Sequence, residues 1–143
     1  MRSSDDILRE RPELFFGPNG PTARKIASDI SSDALMMGCT SVHCWTVKDW
    51  WFVAGDVDWF NVPNMGGVSP DNAFDSIWGM PEAGQNFFWH TVFAKIYGAE
   101  TATSAGGTAL LVKGEPSSLS TFESLIVEAP HQERIVGFRF SAA

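Results

Sequence analysis

The spacing of apolar residues predicts a long amphipathic helix between Pro21 and Gly38. Apolar side chains recur there every three or four residues, which lines them up along one side of a helix. Gly38 suits the left-handed backbone position that often ends a helix. Asp29 and Asp33 lie four residues apart, so they share one face of that helix. This face is either a solvated surface, which is the commoner case, or one side of a cation site.

Further along the chain, alternation with a period of two predicts strands, and a second three-to-four spacing predicts another helix. The expected strands span residues 40–47, 50–60, 99–104, 107–113, 125–129 and 134–140, and the expected helix spans residues 86–97. Turns at 48–49 and 105–107 join the first four strands into two hairpins. We therefore expect a single α+β domain over residues 1–143, a two-layer sandwich with its helices packed on one face of a mixed or antiparallel sheet.

The balance of charges narrows the class of partner. The chain has 143 residues, with 10 Lys and Arg against 17 Asp and Glu, and a formal net charge of -7. Because nucleic-acid binding depends on clustered basic side chains, this balance argues against DNA or RNA as a partner. No apolar run approaches the length of about twenty residues that a membrane span needs, and the first residues are charged where a signal peptide is apolar. We expect a cytoplasmic protein with no membrane contact.

Aromatic residues are frequent for a chain of this length, and most of them are expected in the core. Four of them form two adjacent pairs, Trp50 with Trp51 and Trp59 with Phe60. Both pairs fall in one predicted strand, and neighbouring strand residues point to opposite faces. One member of each pair is therefore expected to point away from the core. We predict that these four residues form a surface for a protein partner.

Residues that bind metals or act in catalysis form no strong motif in this chain. Cys39 and Cys44 lie close together with a histidine between them, but zinc sites use paired, regularly spaced ligands, so we expect reduced structural thiols. His90 falls in an aromatic-rich helix and is expected in the core or at its edge. Asp56 and Asp58 lie two residues apart on one predicted strand face, which leaves a pair of hydrolase carboxylates open.

Two stretches of the chain follow the pattern of one known superfamily. The first runs from Ile7 to Gly38, where ILRERPELFFGPNGP leads through a turn into a helix that ends in DALMMG. The second runs from Phe87 to Lys113, where a helix, a strand, a Gly-Gly-Thr turn and a final strand follow one another. The first stretch resembles the entry to the ATPase domain of DNA gyrase, and the second resembles the end of the ATP-binding domain of sensor histidine kinases. The resemblance implies a GHKL, or Bergerat-like, sandwich.

The same resemblance implies a nucleotide site whose chemistry is altered in this chain. The general-base position falls on Lys25, and a charged lysine cannot take a proton from water, so hydrolysis is not expected. Asp29 falls on the magnesium position and keeps an oxygen ligand. The other residues that the resemblance implies for a nucleotide are Asp33, Asp56, Asp58, Gly84 and Thr108. The adenine loop and the lid have lost most of the glycines that let backbone approach a ligand.

We therefore expect a non-catalytic GHKL-like domain that acts by binding a protein, in a regulatory or immunity-type role and without a cofactor. A homodimer is left open. The alternative is a divergent domain that binds ATP or ADP with Mg2+ at Asp29. A third hypothesis is a small planar ligand that stacks on Trp59 and Phe60.

Overall fold

The computed structural model describes residues 22–60, 74, 90–127 and 133–140 of the chain. Within these ranges there are three helices and five strands. The helices are α1 (Ala23–Met36), α2 (Thr91–Tyr97) and α3 (Pro116–Ile126), and the strands are β1 (Val42–Val47), β2 (Trp50–Gly55), β3 (Glu100–Ala105), β4 (Thr108–Lys113) and β5 (Arg134–Arg139). The fold is α+β, as the sequence predicts. None of the described helices is long and apolar enough to cross a membrane.

The five strands form one open sheet in the order β1-β2-β5-β3-β4, and every neighbouring pair is antiparallel. β5 fills the gap between the two hairpins, β1–β2 and β3–β4, so both predicted hairpins are confirmed. The first hairpin turns at Lys48 and Asp49, whose φ angles are 50° and 72°. Positive φ at both turn residues is typical of a type I′ turn, whose twist matches that of the two strands it joins.

The structure confirms α1 and places it across β1 and β2. Its start is capped by Thr22, whose hydroxyl oxygen accepts a hydrogen bond from the backbone N–H of Lys25. Gly38 follows the helix with a φ of 112°, as predicted from its position. Ile26 and Ile30 belong to the buried stripe that faces the sheet. The apolar spacing of the sequence therefore identifies the packed side of this helix correctly.

Helices cover both faces of the sheet. Phe52 and Val53 are neighbours on β2, so their side chains point to opposite faces. Val53 lies in the core formed with α1 and α2, whereas Phe52 lies in the core formed with α3. The ring of Phe122 on α3 packs against those of Trp50 and Phe52, with centroids 6.0 Å apart in both contacts. The prediction that the helices share one face is therefore wrong for α3.

A glycine on the central strand makes room for α3. A Cβ at Gly137 of β5 would lie 2.8 Å from Cε2 of Phe122 and 2.9 Å from Cε1 of Phe52. A side chain here would push one of these rings away, because real Cβ atoms do not approach carbon atoms so closely. The missing side chain leaves the space that the Phe122 ring fills. The sequence shows a glycine within a strand but does not show which helix closes over it.

The predicted strand at residues 125–129 is wrong where the structure describes it, because its first two residues end α3. A capping box between Glu115 and Ser118 begins this helix, and Pro116 occupies its first turn. The Leu-Ile-Val run is typical of strands by composition. The cap and the burial of Phe122 outweigh that local preference and continue the helix through the run.

Two other predicted elements are shorter in the structure than expected. The strand predicted at residues 50–60 ends at Gly55, and the chain then turns through Asp56. The helix predicted at residues 86–97 is described from Thr91 onward, and residues 86–89 lie outside the described ranges. The end of β2 at Gly55 matters for the site. Asp56 and Asp58, the two candidate carboxylates, follow the strand and do not lie on one of its faces.

Candidate functional site

A buried carboxylate joins α1 to the start of α2. Asp33 is only 2% exposed. Its carboxylate oxygens lie 2.8 and 2.9 Å from Nδ1 of His90, and Oδ2 also accepts the backbone N–H of His90 at 2.8 Å. Since an ionised carboxylate only accepts hydrogen bonds, we assign the proton of this contact to Nδ1. The pair fixes both the orientation of the imidazole and the position of α2 relative to α1.

The electrostatics of this pair are dominated by burial. Desolvation raises the pKa of Asp33 above its usual value, and the hydrogen bonds and charge of His90 oppose that rise. The His90 side chain is 23% exposed, so it lies at the edge of the core, as predicted from its helix. A carboxylate that orients an imidazole is a common arrangement in catalytic and structural sites alike. In this chain it ties two helices together.

A second carboxylate, Asp58, is bound by an arginine from the central strand. Its two oxygens accept hydrogen bonds from Nε and Nη2 of Arg134 at 2.8 and 2.9 Å. Arg134 is 5% exposed, its Nη1 donates to Oγ1 of Thr103 at 3.1 Å, and its guanidinium lies 4.3 Å from the centre of the Phe60 ring. Bidentate pairing, a third hydrogen bond and the ring together hold this charge inside the domain. The resemblance implies Asp58 as a nucleotide contact, and the sequence does not predict Arg134 as its partner.

Asp56 closes the start of the first hairpin. One of its carboxylate oxygens accepts the backbone N–H groups of Thr40 and Ser41 at 3.0 and 3.3 Å, and the other accepts the Thr40 hydroxyl. The Thr40 hydroxyl is the main reason that the pKa of Asp56 lies below its usual value. Asp56 and Asp58 are therefore bound by different groups, an arrangement that does not match a pair of hydrolase carboxylates sharing one substrate.

The residues predicted for magnesium and for the general base bind each other. Nζ of Lys25 lies 2.9 Å from Oδ1 of Asp29, one helical turn away. The Lys25 side chain is 57% exposed, so this is a solvated ion pair. Among the described residues, no group of three or more His, Cys, Asp or Glu side chains is placed to hold a metal ion.

The other residues implied for a nucleotide are spread across the domain. Thr108 is exposed at the start of β4, which is one edge of the sheet, whereas Asp29 lies on α1 over β1 and β2 near the other edge. Three strand spacings separate β2 from β4, a distance on the order of 14 Å. Gly84 lies outside the described residues. The described part of the chain therefore does not gather these groups around one ligand.

The four aromatic residues predicted for a partner surface lie mostly in the core. Trp50, Trp59 and Phe60 are at most 2% exposed, and Trp51 is half-buried. The prediction is corrected for the three buried residues, because a partner cannot reach side chains that other parts of the chain already cover. Helices on both faces of the sheet cover Trp50 fully and Trp51 in part, whereas Trp59 and Phe60 follow β2 and are both buried in the core beneath α1 and α2.

The apolar residues that are exposed to solvent are not the ones that the sequence predicts. Leu35 and Met36 at the end of α1 and Val57 after β2 are exposed, and the sequence-based predictions do not include them. The sequence does contain a signal for their exposure, because Leu35 and Met36 are large apolar residues outside the three-to-four stripe of their helix. Both cysteines are free thiols, with Cys39 buried and Cys44 exposed.

Comparison with known proteins identifies no relative of this chain. No protein-family model matches it, and neither a curated protein nor a solved structure matches it. Its function must therefore be inferred from the geometry of the chain itself.

Proposed function

We propose that this chain is a non-catalytic domain that acts by binding a protein. The observation that carries the proposal is a group of exposed apolar side chains where α1 ends. Leu35, Met36 and Val57 are 53%, 68% and 39% exposed. Cys39 follows the end of α1, and its Sγ lies 3.5 Å from the carbonyl oxygen of Val57, so the three side chains lie at the same end of the domain. Apolar side chains grouped in this way are typical of a surface that a partner covers.

The charge of the chain indicates the chemistry of that partner. With a net charge of -7, the domain attracts a protein whose contact surface is basic. Complementary charge around an apolar centre speeds encounter and selects one partner over others. A regulatory or immunity-type role, in which a small acidic domain blocks a basic protein, fits this combination.

The internal bonds of the acidic residues support a role without catalysis. Asp29 is paired with Lys25, and Asp58 is held by Arg134. ATP or ADP with Mg2+ would have to compete with these bonds, so we rank nucleotide binding second. A planar ligand stacked on Trp59 and Phe60 ranks lower still, because both rings are covered.

A GHKL-like scaffold remains part of the proposal. Its support is the arrangement of α1, which lies across a sheet that also contains Thr108 on β4, as the resemblance implies. The position of α3 on the opposite face is not part of that resemblance. The protein-binding proposal does not depend on the scaffold being of this type.

The test is capture of a partner by the immobilised chain, compared between two double variants. Met36→Gln with Val57→Gln removes part of the apolar group while leaving the core intact. Leu110→Gln with Val127→Gln is the matched control, since these side chains are also exposed but lie elsewhere. We expect the first pair to weaken binding of the captured protein by at least about tenfold and the control pair to leave it unchanged.

Equal binding by both double variants would remove this surface from consideration. Calorimetric titration with ATP, ADP and Mg2+ tests the second hypothesis directly. Micromolar nucleotide binding that Asp29→Ala abolishes would overturn the proposal of a domain without nucleotide.

A further inference from the structure

The outer edge of β1 carries none of the side chains that normally protect a sheet edge. The strand Val42–Val47 contains no Lys, Arg, Asp, Glu or Pro. Within the described part of the chain it pairs with β2 alone and in unbroken register. Natural edge strands are usually blunted by charges, by proline or by a bulge, because a flat open edge adds further strands.

The type I′ turn determines which backbone groups of β1 face outward. In a hairpin with a two-residue turn, the closing residues form a hydrogen-bonded pair, and such pairs alternate along the strands. The N–H of Asp56 donates to the carbonyl of Ser41 at 3.2 Å, which agrees with this alternation. The odd-numbered residues of β1 therefore bond to β2. The N–H and C=O groups of Val42, Cys44 and Thr46 point away from the sheet, and no strand of the described ranges pairs with them.

The opposite edge of the sheet is different. The pairing of β4 with β3 is interrupted by a bulge beside Thr101. β4 ends in Lys113, whose Nζ donates to the carbonyl oxygens of Lys95 and Ile96 at the end of α2. A bulge and a lysine are both devices that discourage further pairing. Of the two edges of the described sheet, β1 is the one without such a device.

The side of α1 that overlooks the β1 edge has small side chains along its middle. Asp33 faces α2, so the opposite flank of α1 faces the edge. Ser31 lies on that flank beside Cys44 of β1, and Ser28 and Leu35 follow on the same side at helical spacing. Arg24 lies one turn before Ser28 on the same flank, so a second α1 can approach closely across the edge only beside Ser28, Ser31 and Leu35. Leu35 lies at the border with the apolar group at the end of α1, and none of the variants proposed for either surface changes it.

Charges at the ends of β1 favour a second copy of the same strand. In an antiparallel pair centred on Cys44, Lys48 of each copy lies opposite Thr40 of the other, and Thr40 binds the carboxylate of Asp56. Each dimer then gains two Lys48–Asp56 attractions. A pair centred on Trp45 would instead bring Asp49 toward Asp56, where like charges repel. The first register also places Trp45 beside His43 of the other copy on the opposite face.

From these observations we infer that two copies of this chain join their β1 strands antiparallel, centred on Cys44, into one continuous ten-stranded sheet. The interface is isologous, so it closes at two copies and removes both open edges. This inference does not depend on the proposed protein partner, and of the residues named for the two surfaces Leu35 alone belongs to both.

The experiment uses proline to block the edge without breaking the hairpin. The N–H of Thr46 points away from β2, so Thr46→Pro removes an outward donor and adds a ring at the interface, while the bonds between β1 and β2 remain. Thr46→Val keeps the N–H and is the matched control. In sedimentation equilibrium, we expect the wild type and Thr46→Val to dimerise and Thr46→Pro to dissociate at least about tenfold more readily.

Two further variants keep the inference falsifiable if the proline variant does not fold. Cys44→Lys places two ammonium groups face to face across the dimer axis and should also produce monomers. A short bismaleimide should link two wild-type chains through Cys44, and Cys44→Ser should abolish the link although buried Cys39 remains. A wild type that stays monomeric up to millimolar concentration, as it would if the edge instead received a foreign peptide, overturns the inference. A dimer that survives both Thr46→Pro and Cys44→Lys, as it would if another surface held it, also overturns it.

Discussion

Both faces of the sheet carry an apolar core, but they differ in the charged groups that lie within it. The face under α1 and α2 encloses two charged pairs. Arg134 of β5 binds Asp58, and Asp33 of α1 binds His90 at the start of α2. The face under α3 is packed by rings, and its described ion pair, Glu100 with Arg139, lies at the rim with side chains 25% and 28% exposed. On the first face, directional bonds are added to a large apolar core, and such bonds accept few substitutions. The second face is stabilised mainly by apolar area, which depends on volume and shape.

The aromatic face contains a continuous row of rings. Trp45 stacks on Phe52 at 5.3 Å, Phe52 stacks on Trp50 at 6.0 Å, and Phe122 of α3 contacts both Phe52 and Trp50. Offset rings at such distances contribute beyond the area that they bury. Since Phe122 is the helix residue fully buried on this face, it is the point at which the face is most easily broken.

The largest effect is expected for Phe122→Ala. The variant leaves a cavity between α3 and the sheet, and it should lower the free energy of unfolding by about 3–5 kcal/mol. Urea denaturation followed by tryptophan fluorescence measures this loss, because Trp50 lies against the deleted ring. Phe122→Leu is the control and should lose much less. A loss below about 1 kcal/mol for the alanine variant would contradict the packing of α3 on this face.

A somewhat smaller loss is expected when the charged face loses its arginine. Arg134→Met keeps most of the side-chain volume but leaves Asp58 without its partner. Because the Asp58 side chain is 28% exposed, water replaces part of the lost interaction, and we expect a loss of about 2–3 kcal/mol.

The matched variant tests the cause of that loss. Adding Asp58→Asn to Arg134→Met removes the uncompensated charge and keeps the oxygen that accepts the Phe60 N–H, so part of the stability should return. Denaturant titration of both variants measures the coupling. If the second substitution lowers stability further, the ion pair is not the source of the first loss.

The smallest effect is a change in pH dependence at the other charged pair. Burial raises the pKa of Asp33, so the folded state favours the protonated carboxyl more than the unfolded state does. This contribution to stability is present below the usual pKa of 3.8 and is lost as the pH rises through the raised value. The amide of the Asp33→Asn variant does not ionise in this pH range. The stability of the wild type relative to Asp33→Asn should therefore fall with rising pH across that window, as thermal unfolding at several pH values will show. A difference that stays constant or rises would contradict a buried Asp33.

The sequence predicts the locally encoded parts of this fold. The apolar stripe of α1 and the turns of both hairpins depend on residues close together in the chain, and they are confirmed. The face covered by α3 depends on Gly137 and on contacts between distant segments, so no local pattern reveals it. The candidate site shows the same division. Asp56 and Asp58 can be selected as carboxylates, but their partners Thr40 and Arg134 come from other parts of the chain.

The burial of the aromatic pairs could not be predicted for the same reason. Strand alternation correctly sends Trp50 and Trp51 to opposite faces, but it says nothing about what covers each face. Conversely, Leu35 and Met36 are apolar residues outside the helical stripe, and that local signal predicts their exposure. A large apolar residue outside the stripe is the feature to weigh more heavily when a surface for a partner is sought.

The position of β5 also bears on how the protein is made. It is the last described strand in chain order, yet it lies between β2 and β3 and is the sole link between the two hairpins in the described sheet. As a ribosome delivers the chain from its amino end, both hairpins emerge before residues 134–139 can join them. Until that moment each hairpin exposes an inner border that later becomes the middle of the sheet, and nascent chains are open to mispairing there.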